Sequence, residues 1–91
     1  MSLNLNIEST FGEALHCQQI GQLDRAKELY LKLLASVPRH AESSHNLGII
    51  FAQSRNFEQA VKYFKLATEA DPQSSHYFCN LGTALNDLGQ T

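Results

Sequence analysis

The side chains best able to do chemistry in this chain are four histidines, His16, His40, His45 and His76, and two cysteines, Cys17 and Cys79. Imidazole and thiolate are the usual ligands of zinc, but a site needs three or four of them at close spacing. His45 and His76 supply two without an obvious third, His16 and His40 have no consistent partner, and the cysteines have no near neighbours of their kind. No metal or other cofactor is expected. Serine, histidine and aspartate all occur, yet no nucleophile elbow, P-loop or GxGxxG stretch accompanies them. The fragment is not expected to be an enzyme. Binding chemistry is more visible. Asn46 and Asn80 lie 34 residues apart. A carboxamide both donates and accepts hydrogen bonds, so a row of them can hold the amide groups of an extended peptide without reading its side chains. The plainer alternative is a pair of solvated polar residues, or local bonds to backbone.

That interval recurs. Pro38 and Pro72, Ala26 and Ala60, Tyr30 and Phe64, Leu47 and Leu81, and Gly48 and Gly82 are each 34 residues apart. A period near this length belongs to a helix–turn–helix repeat, whose units stack side by side into a solenoid with a long exposed groove. The prediction is an all-α fold: an α-solenoid of antiparallel helix pairs, with two full units and a lone first helix of a third. The expected helices span about 8–20, 24–37, 41–54, 57–70 and 75–88. Residues 1–6 form a tail, in which Met1, Ser2 and Leu3 read as an expression scar. The units are 7–40, 41–74 and the truncated 75–91.

In the second helix of the first unit, Ala26, Leu29, Tyr30, Leu33, Leu34 and Val37 form one apolar stripe. Asp24 suits the positive N-terminal end, and Pro38 pushes the residue before it out of the helix. Glu58, Ala60, Val61, Phe64, Ala67 and Pro72 repeat this one period later. The first helices carry Leu47-Gly48 and Leu81-Gly82. A helical glycine costs about 1 kcal/mol relative to alanine, so its return suggests close helix approach, with Ala26 or Ala60 as the facing small residue. Gly21 suits a left-handed cap; the matching turn has Arg55, and Asn56 is expected near that conformation instead. Asn6, or Thr10 with Glu13 as a capping box, can start the first helix, and Ser74 or Ser75 the fifth.

Composition narrows the partners. Charged residues are 18% of the chain, the net charge is −2 and the pI about 6.0. Such a balance lacks the basic footprint that nucleic acid needs. No apolar run approaches the ~20 residues of a membrane span, and the first residues lack a signal-peptide pattern. Two unframed cysteines suit buried or half-buried thiols in a reducing, cytoplasmic setting.

These residues resemble the tetratricopeptide repeat family over nearly the whole chain after residue 7. The family's leucine–small pair falls on Leu47-Gly48 and Leu81-Gly82, and on Glu13-Ala14 in the first unit. Its turn glycine falls on Gly21, Arg55 and Gly89, its helix-B alanine on Ala26 and Ala60, its aromatic on Tyr30 and Phe64, its later small residue on Leu33 and Ala67, and its proline on Pro38 and Pro72. Glu13, Leu33 and Arg55 depart from the pattern. The resemblance implies that the first helix of each unit lines a concave groove. The implied groove residues are Glu8, Phe11, Gly12, Leu15, Gln18 and Gln19; then Glu42, His45, Asn46, Ile49, Ala52 and Gln53; then His76, Cys79, Asn80, Thr83, Asn86 and Asp87. An asparagine pair there is similar to the peptide-binding arrays of repeat-bearing glycosyltransferases. Members that grip a C-terminal carboxylate use lysine, asparagine and arginine; Phe11, His76 and Asn80 hold the cationic positions here, and only Asn46 fits.

The implied function is a scaffold that binds an extended peptide or a partner helix. The alternative is a substrate-recruiting module of a larger glycosyltransferase or sulfotransferase. Because the third unit stops after one helix, Leu81, Leu85 and Leu88 are expected to stay open and to favour a homo-oligomer through that helix.

Overall fold

The structure, a computed structural model, describes residues 6–89. The expected tail, apart from Asn6, and the turn residues Gln90 and Thr91 lie outside the described residues. Within them the chain forms five α-helices and no strand: α1 (Ile7–Gln19), α2 (Leu23–Ser36), α3 (Ala41–Gln53), α4 (Phe57–Ala70) and α5 (Ser75–Gly89). Each helix packs mainly on its neighbours in the chain. The result is an elongated stack of 49 × 28 × 17 Å, as expected where each unit touches only the next. None of the described helices is long and apolar enough to cross a membrane.

The boundaries follow from caps. The Asn6 side chain accepts a hydrogen bond from the Ser9 N–H at 3.0 Å, so α1 begins one turn before the Thr10–Glu13 alternative. Ser74 Oγ accepts from the Tyr77 N–H at 3.2 Å and starts α5. His40, expected to lack a partner, caps α3: its Nδ1 accepts from the Ser43 N–H at 3.2 Å. At the other ends, Val37 (φ −132°, ψ 83°) and Asp71 (φ −138°, ψ 81°) adopt nearly the same extended geometry. Each precedes a proline, which excludes the helical region.

The two internal turns are also copies. The Gln22 N–H reaches back to the Cys17 carbonyl at 2.8 Å, and the Asn56 N–H to the Phe51 carbonyl at 2.8 Å. Gly21 has φ 85° and Arg55 φ 62°. The left-handed residue thus keeps its place in the period even where it is an arginine, at about 1–2 kcal/mol. Asn56 does not take that conformation. It has φ −91° and caps α4 through its side chain instead.

One buried cluster joins α1, α2 and α3 around Ala14, Ala26, Tyr30, Leu33, Leu47 and Ile50. A smaller one joins α4 and α5 around Ala60, Phe64 and Ala84. Gly48 does allow close approach, and the nearest side chain is that of Phe64. A Cβ there would stand 2.6 Å from Cδ1 and Cε1 of Phe64. The aromatic is the residue long enough to cross between the helices. Cys17 is buried, whereas Cys79 is exposed rather than half-buried. Ser43 and Ser44 are also buried, and neither hydroxyl finds a hydrogen-bond partner.

Candidate functional site

At the first joint, between α1, α2 and α3, Phe11 is half-buried with its ring centroid 6.0 Å from Tyr30 and 5.3 Å from His40. Tyr30 is buried, and its hydroxyl points between the first helices of the two units. It donates to Gln18 Oε1 at 2.6 Å. Burial pushes this phenol up to about 12, against a smaller opposing effect of a hydrogen bond from Asn46. Leu15 is half-buried beside this network. The polar tips of Gln18, Tyr30 and Asn46 meet in this joint.

One period later the same positions hold shorter, less polar groups. Ala52 stands where Gln18 stood, and Phe64 where Tyr30 stood. Asn80 repeats Asn46, but there is no phenol for it to meet. What remains is an open cleft of about 260 Å³. Ile49, Ala52, Phe64 and Ala84 form its apolar walls, and Gln53, Asn80, Thr83 and Asp87 supply its polar groups. Thr83 Oγ1 donates to the Cys79 carbonyl of its own helix at 3.1 Å, leaving its lone pairs free.

Beside the cleft, His45 is buried with ring centroids 5.7 Å from Phe64, 5.1 Å from His76 and 4.6 Å from Tyr77. Asn80 Nδ2 lies 3.4 Å from His45 Nε2, a contact that needs a neutral ring with Nε2 as acceptor. Nδ1 is buried without a partner. Desolvation, and then the neighbouring His76, hold the His45 imidazole below its ordinary value of 6.5. Burial, and then Glu42 and Asp71, push the Tyr77 phenol up. The two histidines therefore meet, but as a packed aromatic group. Among the described residues no group of three His, Cys, Asp or Glu is placed to hold a metal ion.

Charge is divided between the helices. All seven lysines and arginines lie on α2, α4 or the connecting turns. The first helices of the units, α1, α3 and α5, carry Glu8, Glu13, Glu42 and Asp87 and no Lys or Arg. Among the described residues, Glu13 alone of these is in an ion pair, with Arg25 at 3.3 Å.

Of the expected groove residues, Ile49, Ala52, Gln53, Asn80, Thr83 and Asp87 converge on the cleft. His45 and His76 meet next to it. Asn46, Phe11 and Leu15 belong to the first joint, and Glu42 is exposed near Tyr77. Phe64, expected only as core, and Ala84, which carried no sequence signal of its own, complete the walls. The outer face of α5 divides as well. Leu81 packs toward α4 and Leu88 lines a second hollow with Phe57 and Arg55. Leu85 and Phe78 are each 49% exposed.

Comparison with known proteins agrees with this architecture. The family model described as Tetratricopeptide repeat matches residues 11–75. No curated protein matches the chain. Among solved structures, the Sgt2 TPR domain from Aspergillus fumigatus superposes with a TM-score of 0.85 at 23% identity, over 96% of this chain and 58% of that one. A Thermobaculum terrenum O-GlcNAc transferase mutant gives 0.81 at 25% identity, over 87% of this chain and 15% of that one. MamA of MSR-1 gives 0.79 at 26% identity, over 93% and 49%. The chain therefore spans at most 58% of these relatives.

Proposed function

The chain belongs to the tetratricopeptide repeat family, whose repeats are generally protein-interaction modules, and from that premise we propose that it binds an extended peptide along the face formed by α1, α3 and α5. The observation that carries this is the pair Asn46 and Asn80. Both are half-buried at the same place in the period, and each uses only part of its hydrogen-bonding capacity within the protein. The remaining groups are free to bond the backbone of a ligand. Two unpaired thiols, one of them exposed, suit a reducing, cytoplasmic setting.

The test is the double variant Asn46→Ala with Asn80→Ala. Each lost hydrogen bond should weaken peptide binding by about 1 kcal/mol. Folding should change little, because Tyr30 keeps Gln18 as its acceptor. Unaltered affinity would rule out backbone capture by these residues.

A second reading has a specific observation behind it. The likeness to an O-GlcNAc transferase, of which this chain covers only 15%, fits a substrate-recruiting module carried by a larger enzyme. The primary structure of the native gene product decides it: a catalytic domain in the same polypeptide supports recruitment, and a protein built of repeats alone excludes it.

A further inference from the structure

Resting on the peptide-binding reading, we propose that the cleft between α3 and α5 is a subsite for one apolar side chain of the bound segment, and that an adjacent lysine or arginine of that segment pairs with Asp87. Three observations support it.

The cleft lies where the first joint holds the Tyr30–Gln18 pair, one period later. Where Tyr30 and Gln18 meet across the joint in a 2.6 Å hydrogen bond, Phe64 and Ala52 line about 260 Å³. An apolar cavity of about 150 Å³ already holds a benzene ring, so an aliphatic or aromatic side chain fits. The walls offer it no polar partner deep inside, since Phe64 and Ala84 have none to give.

The mouth of the cleft has one sign of charge. Asp87 is the one charged residue lining it, and among the described residues no ion pair engages it. The helices that line this face, α1, α3 and α5, carry no lysine or arginine, and none lines the cleft, so Asp87 is open to a ligand's cation and disfavours an acidic group beside it. Charge complementarity therefore selects a basic neighbour for the apolar residue.

Asn80 sits at the boundary between the apolar walls and the polar mouth. Its amide touches His45 with one of its two N–H groups, and its carbonyl oxygen remains available to a peptide N–H. The side chain that enters the cleft would thus be followed by backbone held at Asn80.

The experiment titrates labelled Gly/Ser peptides carrying one Leu–Lys, Leu–Glu or Ser–Lys pair, and reads the side-chain amide signals of Asn80 and Gln53. Leu–Lys should bind best. Leu–Glu should be weaker by about threefold or more, a gap that closes in high salt and in Asp87→Asn. Ala52→Gln with Phe64→Tyr rebuilds the first joint and should weaken Leu–Lys binding about tenfold without lowering the melting temperature. Ala52→Gln alone, at a half-buried site, carries the same expectation should the double variant fold poorly. If Leu–Lys and Leu–Glu bind alike and the refilled variants bind as the wild type does, the subsite is wrong while the peptide-binding reading survives. If no peptide moves any signal on α1, α3 or α5, both fall together.

Discussion

The interior helix α3 and the last helix α5 carry the same Leu-Gly pair at the same place in the period, yet in different surroundings. At Gly48 an added Cβ would strike the Phe64 ring, whereas at Gly82 it would meet nothing within 4 Å. Ser44 is buried and its equivalent Phe78 is 49% exposed. A repeat position therefore dictates which way a side chain points. What it touches depends on what packs against that face: Phe64 of α4 lies on Gly48, and among the described residues nothing lies within 4 Å of a Cβ at Gly82. The two joints teach the same lesson in polar groups: Tyr30 and Gln18 bond across one, and Phe64 and Ala52 line an open cleft at the other.

The sharpest way to break this comparison is one substitution made twice. Gly48→Leu should destabilise the fold by about 1–3 kcal/mol through overpacking against Phe64. Gly82→Leu should cost nothing and gain up to about 1 kcal/mol of helix propensity. Equal effects in thermal or denaturant unfolding would contradict the placement of both helices.

The turns supply the next contrast. Arg55 holds φ 62° where Gly21 holds φ 85°, so Arg55→Gly should stabilise by about 1 kcal/mol and Gly21→Ala should destabilise by a similar amount. A loss of stability in Arg55→Gly would mean that its side chain, 5.4 Å from the Phe57 ring, matters more than its backbone.

The joints can be exchanged. Tyr30→Phe should lower stability by about 0.5–1.5 kcal/mol, the usual worth of a hydrogen bond, because Gln18 loses its donor. The cost should shrink in a Gln18→Ala background to what the hydrogen bond from Asn46 contributes. A full cost in that background would assign the loss to something other than this bond.

The smallest expected effect is that of pH. Burial holds His45 below its ordinary 6.5, so the unfolded chain takes up its proton first as pH falls. Stability from this group is present above pH 6.5 and declines as pH drops from there through the depressed folded value. His45→Gln should flatten that slope. A melting temperature that rises on acidification through this range would contradict a buried neutral His45.

Much of the fold was legible in the residues because the period repeats its own punctuation. Pro38 and Pro72 stop two helices identically, Gly21 marks a turn, and the stripe from Ala26 to Val37 needs one face buried. The rest depended on contacts between units. Gly48 announces a close approach without naming Phe64 as the partner, since Ala60 lies one turn from it on the same face. Arg55 hides a left-handed turn because its side chain gives no sign of it. His40 acts as a cap through a ring nitrogen, outside the usual set of capping residues. The cleft was half visible: its α3 and α5 groups follow from the period, but its apolar walls appear only once Phe64 is seen reaching between two helices, as Tyr30 does.

The most direct measurement is a crystal structure of the protein with the Leu–Lys peptide. The account predicts the leucine side chain between Ile49 and Phe64, the lysine ammonium at Asp87 and peptide backbone at Asn80. A peptide lying instead across the lysine-bearing helices α2 and α4, or a leucine left in solvent above an empty cleft, would contradict it.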